Sequence, residues 1–100
     1  MNIVIPVSCD SQEAAEITPL NEVKKWAYVE MNEGEISKCE FFDNREDIQE
    51  WIECIIVNSE KEYVWPFMEE GIMVLVAPEQ KSIAQIVEAY MFRELHDLNI

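Results

Sequence analysis

Three short runs of apolar, mostly β-branched residues constrain the fold of this chain more than any other feature. They occupy residues 3–7, 54–57 and 72–76, and none of them alternates with polar residues. A strand that is apolar on both faces is typical of the interior of a sheet that is covered on both sides. We therefore expect these runs to be buried strands of one sheet.

The chain between the first two runs is predicted to contain a β-hairpin. Residues 26–31 and 36–42 are rich in aromatic and β-branched residues. Gly34, between them, can adopt the positive φ that a tight turn requires. Residues 9–21 are mostly polar and acidic, which predicts a long loop with one helical turn at residues 13–16.

Residues 43–53 show helical periodicity. Asp43 and Asn44 are residue types that favour an N-cap, and apolar residues follow at i, i+3, i+4 and i+7. These apolar residues are Ile48, Trp51, Ile52 and Ile55. The pattern predicts a helix that packs on the sheet and ends near Glu53, immediately before the second apolar run.

A second helical segment is predicted after residue 58. Ser59 and Glu62 have the spacing of a capping box. Pro66 disfavours helical geometry at the residue before it, however. We therefore expect either a kink at this proline or a helix that begins at Pro66 and stops at Gly71.

The last helix has the strongest signal. Ser82 and Gln85 have capping-box spacing, and an apolar stripe follows them through two turns. We expect this helix to run to Leu98, which would place His96 near its C-terminal end, where the helix dipole favours a cation.

The predicted elements follow the order strand–strand–strand–helix–strand–helix–strand–helix. Because right-handed crossovers connect parallel strands, this order predicts an α/β fold with one mixed five-stranded sheet, order 3-2-1-4-5. Three helices would cover its two faces. No internal repeat or low-complexity segment divides the sequence, so residues 1–100 are predicted to form a single domain.

The strong negative charge limits the classes of partner. The chain has 21 Asp and Glu residues against 7 Lys and Arg residues, a net charge of -14. Such a surface repels phosphate backbones and anionic lipids. We therefore expect no binding to nucleic acid or to a membrane surface, and no nuclease activity.

The cysteines indicate the redox compartment. Cys9, Cys39 and Cys54 are an odd number of thiols and form no CxxC pair. This usage favours a reducing compartment over a disulfide framework, and we expect a cytoplasmic protein. The first residues also lack the basic segment that opens a signal peptide.

Three segments have sequences that are specific beyond their secondary structure. They are residues 2–7 (NIVIPV), residues 70–78 (EGIMVLVAP) and residues 82–90 (SIAQIVEAY). Together they resemble the dinitrogenase iron-molybdenum cofactor biosynthesis family, whose members have a ribonuclease-H-like fold. The resemblance implies that fold, and it implies a role in carrying or inserting iron–molybdenum clusters.

The chain departs from this family at its usual site motifs. The resemblance implies a histidine-containing loop before the second strand and glycine-rich turns before the helices. Residues 18–23 and 42–45 contain neither histidine nor glycine, and the one histidine is His96. The sequence therefore resembles a divergent member that lacks the His and Gly motifs.

The candidate binding site lies beyond the carboxyl ends of the predicted parallel strands, where ligands dock in sheets of this topology. Cys9 and Asp10 follow the first strand, and Asn58 follows the fourth. Cys9 is the candidate metal ligand, because soft metals and clusters prefer thiolates. Carboxylates dominate this region, which disfavours an anionic cluster, and the sequence predicts no catalytic residue.

Two functions agree with these features. The first is a non-enzymatic, cofactor-free interaction or regulatory module that binds a protein partner or a second copy of the chain. The second is a carrier of an iron–sulfur or molybdenum-containing cluster, as the resemblance implies. Apolar residues such as Trp65 and Phe92 favour the first function if they are exposed, and they belong to a two-faced core if they are buried.

Overall fold

Six strands form one mixed sheet in the computed structural model, which describes residues 1–98. The strands are β1 (Asn2–Val7), β2 (Lys25–Asn32), β3 (Glu35–Phe42), β4 (Cys54–Val57), β5 (Met73–Val76) and β6 (His96–Asp97). The described range also contains the α-helices α1 (Trp65–Glu69) and α2 (Ile83–Met91) and 3₁₀ turns at Leu20–Glu22 and Arg45–Asp47. The strand order is β3-β2-β1-β4-β5-β6.

The three apolar runs form the parallel centre of the sheet, as predicted. Ile3 of β1 lies beside Cys54 of β4, which lies beside Met73 of β5. β2 and β3 extend the sheet antiparallel on one side, and β6 extends it antiparallel on the other. The predicted order of five strands is confirmed, but residues 1–98 form six strands rather than five and two helices rather than three.

The predicted hairpin is formed by β2 and β3. Its connection consists of Glu33 and Gly34, and both have a positive φ, 54° and 81°. Two left-handed residues in succession are typical of the turn whose twist matches that of the flanking strands. This turn places β3 at the edge of the sheet, as expected.

The predicted helix at residues 43–53 is wrong. The structure has only a 3₁₀ turn at Arg45–Asp47, and Asn44 makes no side-chain capping hydrogen bond. The chain then extends, because the Glu53 N–H donates to the Asn2 carbonyl at 3.1 Å and joins the ladder of β1. Pairing with the central strand therefore outweighs the helical periodicity of a segment too short to be stable as an isolated helix.

The second helical segment begins beside the proline, at Trp65, rather than at the predicted capping box. The Glu62 carboxylate does not return to residue 59 but accepts from the Leu20 N–H at 2.9 Å. α1 begins at Trp65 with Pro66 in its first turn, where a missing N–H costs nothing. Gly71, with a φ of 79°, follows the helix, as the sequence predicted.

The last helix has the predicted start and a different end. Ser82 and Gln85 form both hydrogen bonds of the capping box, each at 3.1 Å. The helix stops at Met91, because Arg93 has a φ of 57° and the Glu94 N–H donates to the Ala89 carbonyl at 2.8 Å. This is the geometry of a left-handed C-cap. The prediction that the helix reaches Leu98 is therefore wrong, and His96 lies in β6 beside Val76.

The two helices cover opposite faces of the sheet, as predicted. On one face, α2 packs on alternate residues of the central strands, such as Ile3, Ile5 and Ile56. On the other face, α1 packs on the intervening residues, and residues 43–53 cover Val4 and Tyr28. No helix within residues 1–98 is long and apolar enough to cross a membrane.

Candidate functional site

Residues 15–18 lie at the carboxyl end of β1, where the sequence predicted a crevice. The Thr18 N–H donates to the Pro6 carbonyl and the Ile17 N–H donates to the Lys81 carbonyl, each at 2.9 Å. The side chains of Ala15 and Ile17 are buried in the core on the α2 side. This segment therefore joins β1 to the start of α2 and occupies part of the predicted crevice with apolar side chains.

The three predicted site residues have different surroundings. Cys9 is half-buried and packs against the core, and Asn58 is half-buried directly after β4. Asp10 is exposed and lies near Lys25, whose pKa is raised by the hydrogen bond with Asp43 and more weakly by the charge of Asp10. No hydrogen bond or ion pair joins Cys9, Asp10 and Asn58 in the part of the chain that the structure describes. Their assignment as a site stays a prediction.

Three buried side-chain oxygens near this end of the sheet were not predicted. Thr18 Oγ1, Asn58 Oδ1 and Gln80 Oε1 are buried and have no hydrogen-bond partner within residues 1–98. Because Glu16 pairs with Ser82 in an antiparallel bridge, Thr18 lies opposite Gln80. All three are neutral groups: the Thr18 hydroxyl can donate or accept, whereas the amide oxygens of Asn58 and Gln80 accept, so a small polar molecule such as water suits them.

The other two cysteines are poorly placed for metal binding. Burial raises the pKa of Cys54 to about 12, and burial also raises the pKa of Cys39 in β3. A metal binds the thiolate, so both shifts oppose coordination. Within residues 1–98, no group of three or more His, Cys, Asp and Glu side chains is arranged to hold a metal ion.

The most distinctive surface is the face of the sheet covered by α1, which we call the α1 face. Three exposed aromatic residues lie in the segments that cover this face, Trp51 (73% exposed), Tyr63 (71%) and Trp65 (61%). Phe67, from the same helix as Trp65, is buried against β4 and β5. The α1 face therefore has a complete apolar layer below and large aromatic side chains in solvent above it.

Two grooves open on the α1 face. The first, of about 390 Å³, lies between residues 45–52 and the end of α1 and includes Trp51. The second, of about 530 Å³, lies between Leu20 and the start of α1 and includes Tyr63. They share one border, because Arg45 lines the first groove, Phe67 lines the second, and the guanidinium carbon is 4.9 Å from the centre of the Phe67 ring.

Carboxylates surround the aromatic residues. Glu46, Glu50 and Glu70 line the first groove, and Glu62 lines the second. Arg45 is the cation of these linings, and Glu70 already accepts two hydrogen bonds from it, at 2.8 and 3.3 Å. The α1 face is therefore both aromatic and negatively charged.

A third groove lies on the opposite side of the molecule, between α2 and β6. It has a volume of about 620 Å³ and includes Met73, Tyr90 and Met91. Arg93 and Asp97 line it with opposite charges. This groove therefore lacks the excess of carboxylates that lines the α1 face, although Phe92, next to Met91 in the sequence, is 70% exposed.

Comparison with known proteins supports the fold. No protein-family model matches the sequence. No curated protein matches it either. Among solved structures, the chain is similar to a protein provisionally named a dinitrogenase from Methanocaldococcus jannaschii, with 17% identity, a TM-score of 0.74 and coverage of 99% of this chain and 95% of that one.

Two further structures give the same result. The protein PH0822 has 14% identity and a TM-score of 0.75, covering 99% of this chain and 97% of that one. An NMR structure of the provisionally named dinitrogenase, with the source given as Methanococcus jannaschii, has 16% identity and a TM-score of 0.72, covering 100% of this chain and 94% of that one. The predicted resemblance to the dinitrogenase iron-molybdenum cofactor biosynthesis family is therefore confirmed at the level of the fold.

Proposed function

We propose that this chain is a non-enzymatic, cofactor-free interaction domain that binds a protein partner. The observation that carries the proposal is the exposure of Trp51, Tyr63 and Trp65 on one face of the sheet. Large aromatic side chains are enriched at the centres of protein interfaces, where each provides a large contact area at a small cost in conformational entropy. Grouped on a single face, they support binding as the role of that face.

The chemistry of the predicted crevice supports a domain without a bound cluster. A cluster requires thiolate or imidazole ligands and hydrogen-bond donors for its sulfide or oxo groups. Cys9 is the thiol near the carboxyl end of β1, and the buried side-chain oxygens without partners there are one neutral hydroxyl and two amide oxygens. This set of groups does not fit an anionic cluster, although the family resemblance implies such a cargo.

Reconstitution with metal clusters tests this proposal against the carrier function. We expect the chain, purified without oxygen and offered iron–sulfur or molybdenum-containing clusters, to retain only trace metal after gel filtration. Cys9→Ser is the critical variant, and Cys39→Ser, which removes a half-buried thiol from β3, is the matched control. About one cluster per chain that is lost in Cys9→Ser and kept in Cys39→Ser would refute the proposal and support the carrier function.

Self-association is the second possibility for an interaction domain. Two copies of a chain with a net charge of -14 repel each other, so we propose a different protein as the partner. Light scattering at micromolar concentration should give the mass of a monomer, 11.7 kDa. A dimeric mass at physiological salt would contradict the choice of partner.

A further inference from the structure

We infer that the α1 face binds a basic segment of a partner protein, in which lysine or arginine side chains flank apolar ones. This inference rests on the proposed function and specifies the surface and the chemistry of the partner. It follows from the aromatic residues, the two grooves and the charge of the same face.

The two grooves provide places for apolar side chains. Each groove has an exposed aromatic residue at its rim, Trp51 in the first and Tyr63 in the second. Because Arg45 and Phe67 form the border between them, a segment that crosses this border can place one apolar side chain on each side. The floor beneath is fixed, since Ile48 and Phe67 are both buried in the core.

The charge of the linings selects a basic segment. Glu46, Glu50 and Glu62 line the same grooves as Trp51 and Tyr63. Glu50 is 3.6 Å from the Lys38 ammonium, and one Glu62 oxygen accepts from the Leu20 N–H. Since the Arg45 guanidinium is paired with Glu70, Glu46 and the second Glu62 oxygen are the groups left for a partner cation among the described residues of these linings. At this face, a lysine or arginine side chain of a partner can form an ion pair with a carboxylate and a cation–π contact with an aromatic ring. The contact between Arg45 and the Phe67 ring is an example of the same interaction within the chain.

Charge also distinguishes this partner from the alternatives. A second copy of the chain adds further negative charge, as do nucleic acids and anionic lipids. The groove between α2 and β6 has one cation, Arg93, and one carboxylate, Asp97, whereas the two grooves of the α1 face together have four carboxylates and one cation. A basic and apolar protein segment is thus the occupant that complements the α1 face.

An NMR titration tests the inference on the whole chain. The probe is a short synthetic peptide of alternating lysine and leucine, and a peptide of alternating glutamate and leucine is the control. We expect saturable shifts at residues 45–52 and 63–70 and at the indole Nε1–H signals of Trp51 and Trp26, which line the first and the second groove, with little change at the exposed Phe92. The glutamate peptide should cause no saturable shift, and added salt should weaken the binding of the lysine peptide.

Matched variants separate the aromatic contribution from the charge. Trp51→Ala with Tyr63→Ala should weaken binding of the lysine peptide by about tenfold, whereas Phe92→Ala, also an exposed aromatic residue, should leave it unchanged. Glu46→Gln, which removes a groove carboxylate that forms no ion pair among the described residues, should weaken binding and reduce its salt dependence.

Several results would overturn the inference. In the titration, these results are an absence of saturable binding, shifts spread evenly over the surface, and shifts centred on the groove between α2 and β6. In the variant series, it is an affinity of the Trp51→Ala, Tyr63→Ala variant for the lysine peptide that equals the affinity of the original chain. The proposed function fails by a different result, which is a cluster retained through Cys9. The two failures are therefore distinguishable.

Discussion

Replacing Arg45 by alanine should weaken the attachment of residues 43–53 to α1. The Arg45 guanidinium donates to both Glu70 oxygens, at 2.8 and 3.3 Å, and lies 4.9 Å from the centre of the Phe67 ring. Its side chain is only 19% exposed, so its methylene groups also cover apolar surface. These contacts connect the irregular segment to the helix on the same face.

The size of the effect follows from these contacts. The Glu70 side chain is 49% exposed, so solvent screens the ion pair and limits it to about 0.2–1 kcal/mol. The contact with the Phe67 ring adds about 0.5–1 kcal/mol. Arg45→Ala should therefore lower the free energy of unfolding by about 1–2 kcal/mol, which corresponds to a fall in Tm of about 5–10 °C in a domain of this size.

Urea unfolding of four proteins measures this effect and its origin. A cycle of Arg45→Ala, Glu70→Ala and the double variant against the original chain should give a positive coupling of about 0.5 kcal/mol. Arg45→Lys should recover only a small part of the loss, because an ammonium group lacks the planar fork and the stacking surface.

A control variant separates this effect from a general loss of charge. Lys61 forms no side-chain ion pair among the described residues, so Lys61→Ala should leave stability nearly unchanged. If Arg45→Ala costs no more than Lys61→Ala, the role assigned to Arg45 is refuted.

Three further predictions concern stability. Burial raises the pKa of Cys54 from the 9.0 of an ordinary thiol to about 12 in the folded chain. Between pH 9 and 12 the unfolded chain therefore loses this proton while the folded chain keeps it, so the free energy of unfolding should fall as the pH rises through this range. Cys54→Ala should flatten that fall by up to about 1.4 kcal/mol per pH unit in urea unfolding, and an unchanged slope would contradict the assignment. Ser82→Ala should lower the free energy of unfolding by about 1 kcal/mol because it removes the N-cap of α2. Ser59→Ala is the control, because Ser59 caps no helix, and it should cost less. Equal losses in the two variants would argue against the capping role of Ser82. Trp51→Ala should lower the free energy of unfolding by less than about 0.5 kcal/mol, because the Trp51 side chain is exposed. Ile48→Ala should lower it by about 2–4 kcal/mol, because the Ile48 side chain is buried. The reverse order in thermal unfolding would support the helix that the sequence predicted for residues 43–53.

The central strands could be predicted because their signal is local and unambiguous. An apolar run with no polar alternation has few alternatives to a buried strand, and the β4 bounds agree with the sequence to the residue. The capping box of Ser82 and Gln85 is similarly local, since both partners lie within one turn. Elements whose determinants lie within a few residues were therefore predicted well.

The two wrong helical predictions depend on contacts that are distant in sequence. Residues 43–53 have helical periodicity, but the Asn2 side chain donates to the Trp51 carbonyl at 2.8 Å across 49 positions and attaches the irregular segment to the start of β1. α2 ends before the left-handed Arg93, and the residues beyond it are held in β6 by the pairing of His96 with Val76. No local pattern records either contact, so tertiary pairing overrides the propensity of both segments.

The predicted site shows the same limit. Topology correctly places Cys9 after β1 and Asn58 after β4. The sequence does not reveal that Ile17 enters this end of the sheet, because its position depends on hydrogen bonding to Lys81. A rule based on topology can therefore locate the end of the sheet where ligands bind in related folds, but it cannot say whether the chain itself fills that space.

The failed helix and the proposed docking surface have one structural origin. A helix at residues 43–53 would turn Trp51 towards the sheet together with Ile48 and Ile52, as their spacing predicts. In the irregular conformation that the segment adopts, Ile48 is buried and Trp51 is exposed, and α1 has only five residues. The grooves on both sides of the Arg45 and Phe67 contact exist because two short, irregular segments meet there instead of two long helices. Residues 43–53 thus depart from their local helical pattern at the surface that we propose to be functional. Functional surfaces are where a conflict between local sequence preference and the global fold is expected.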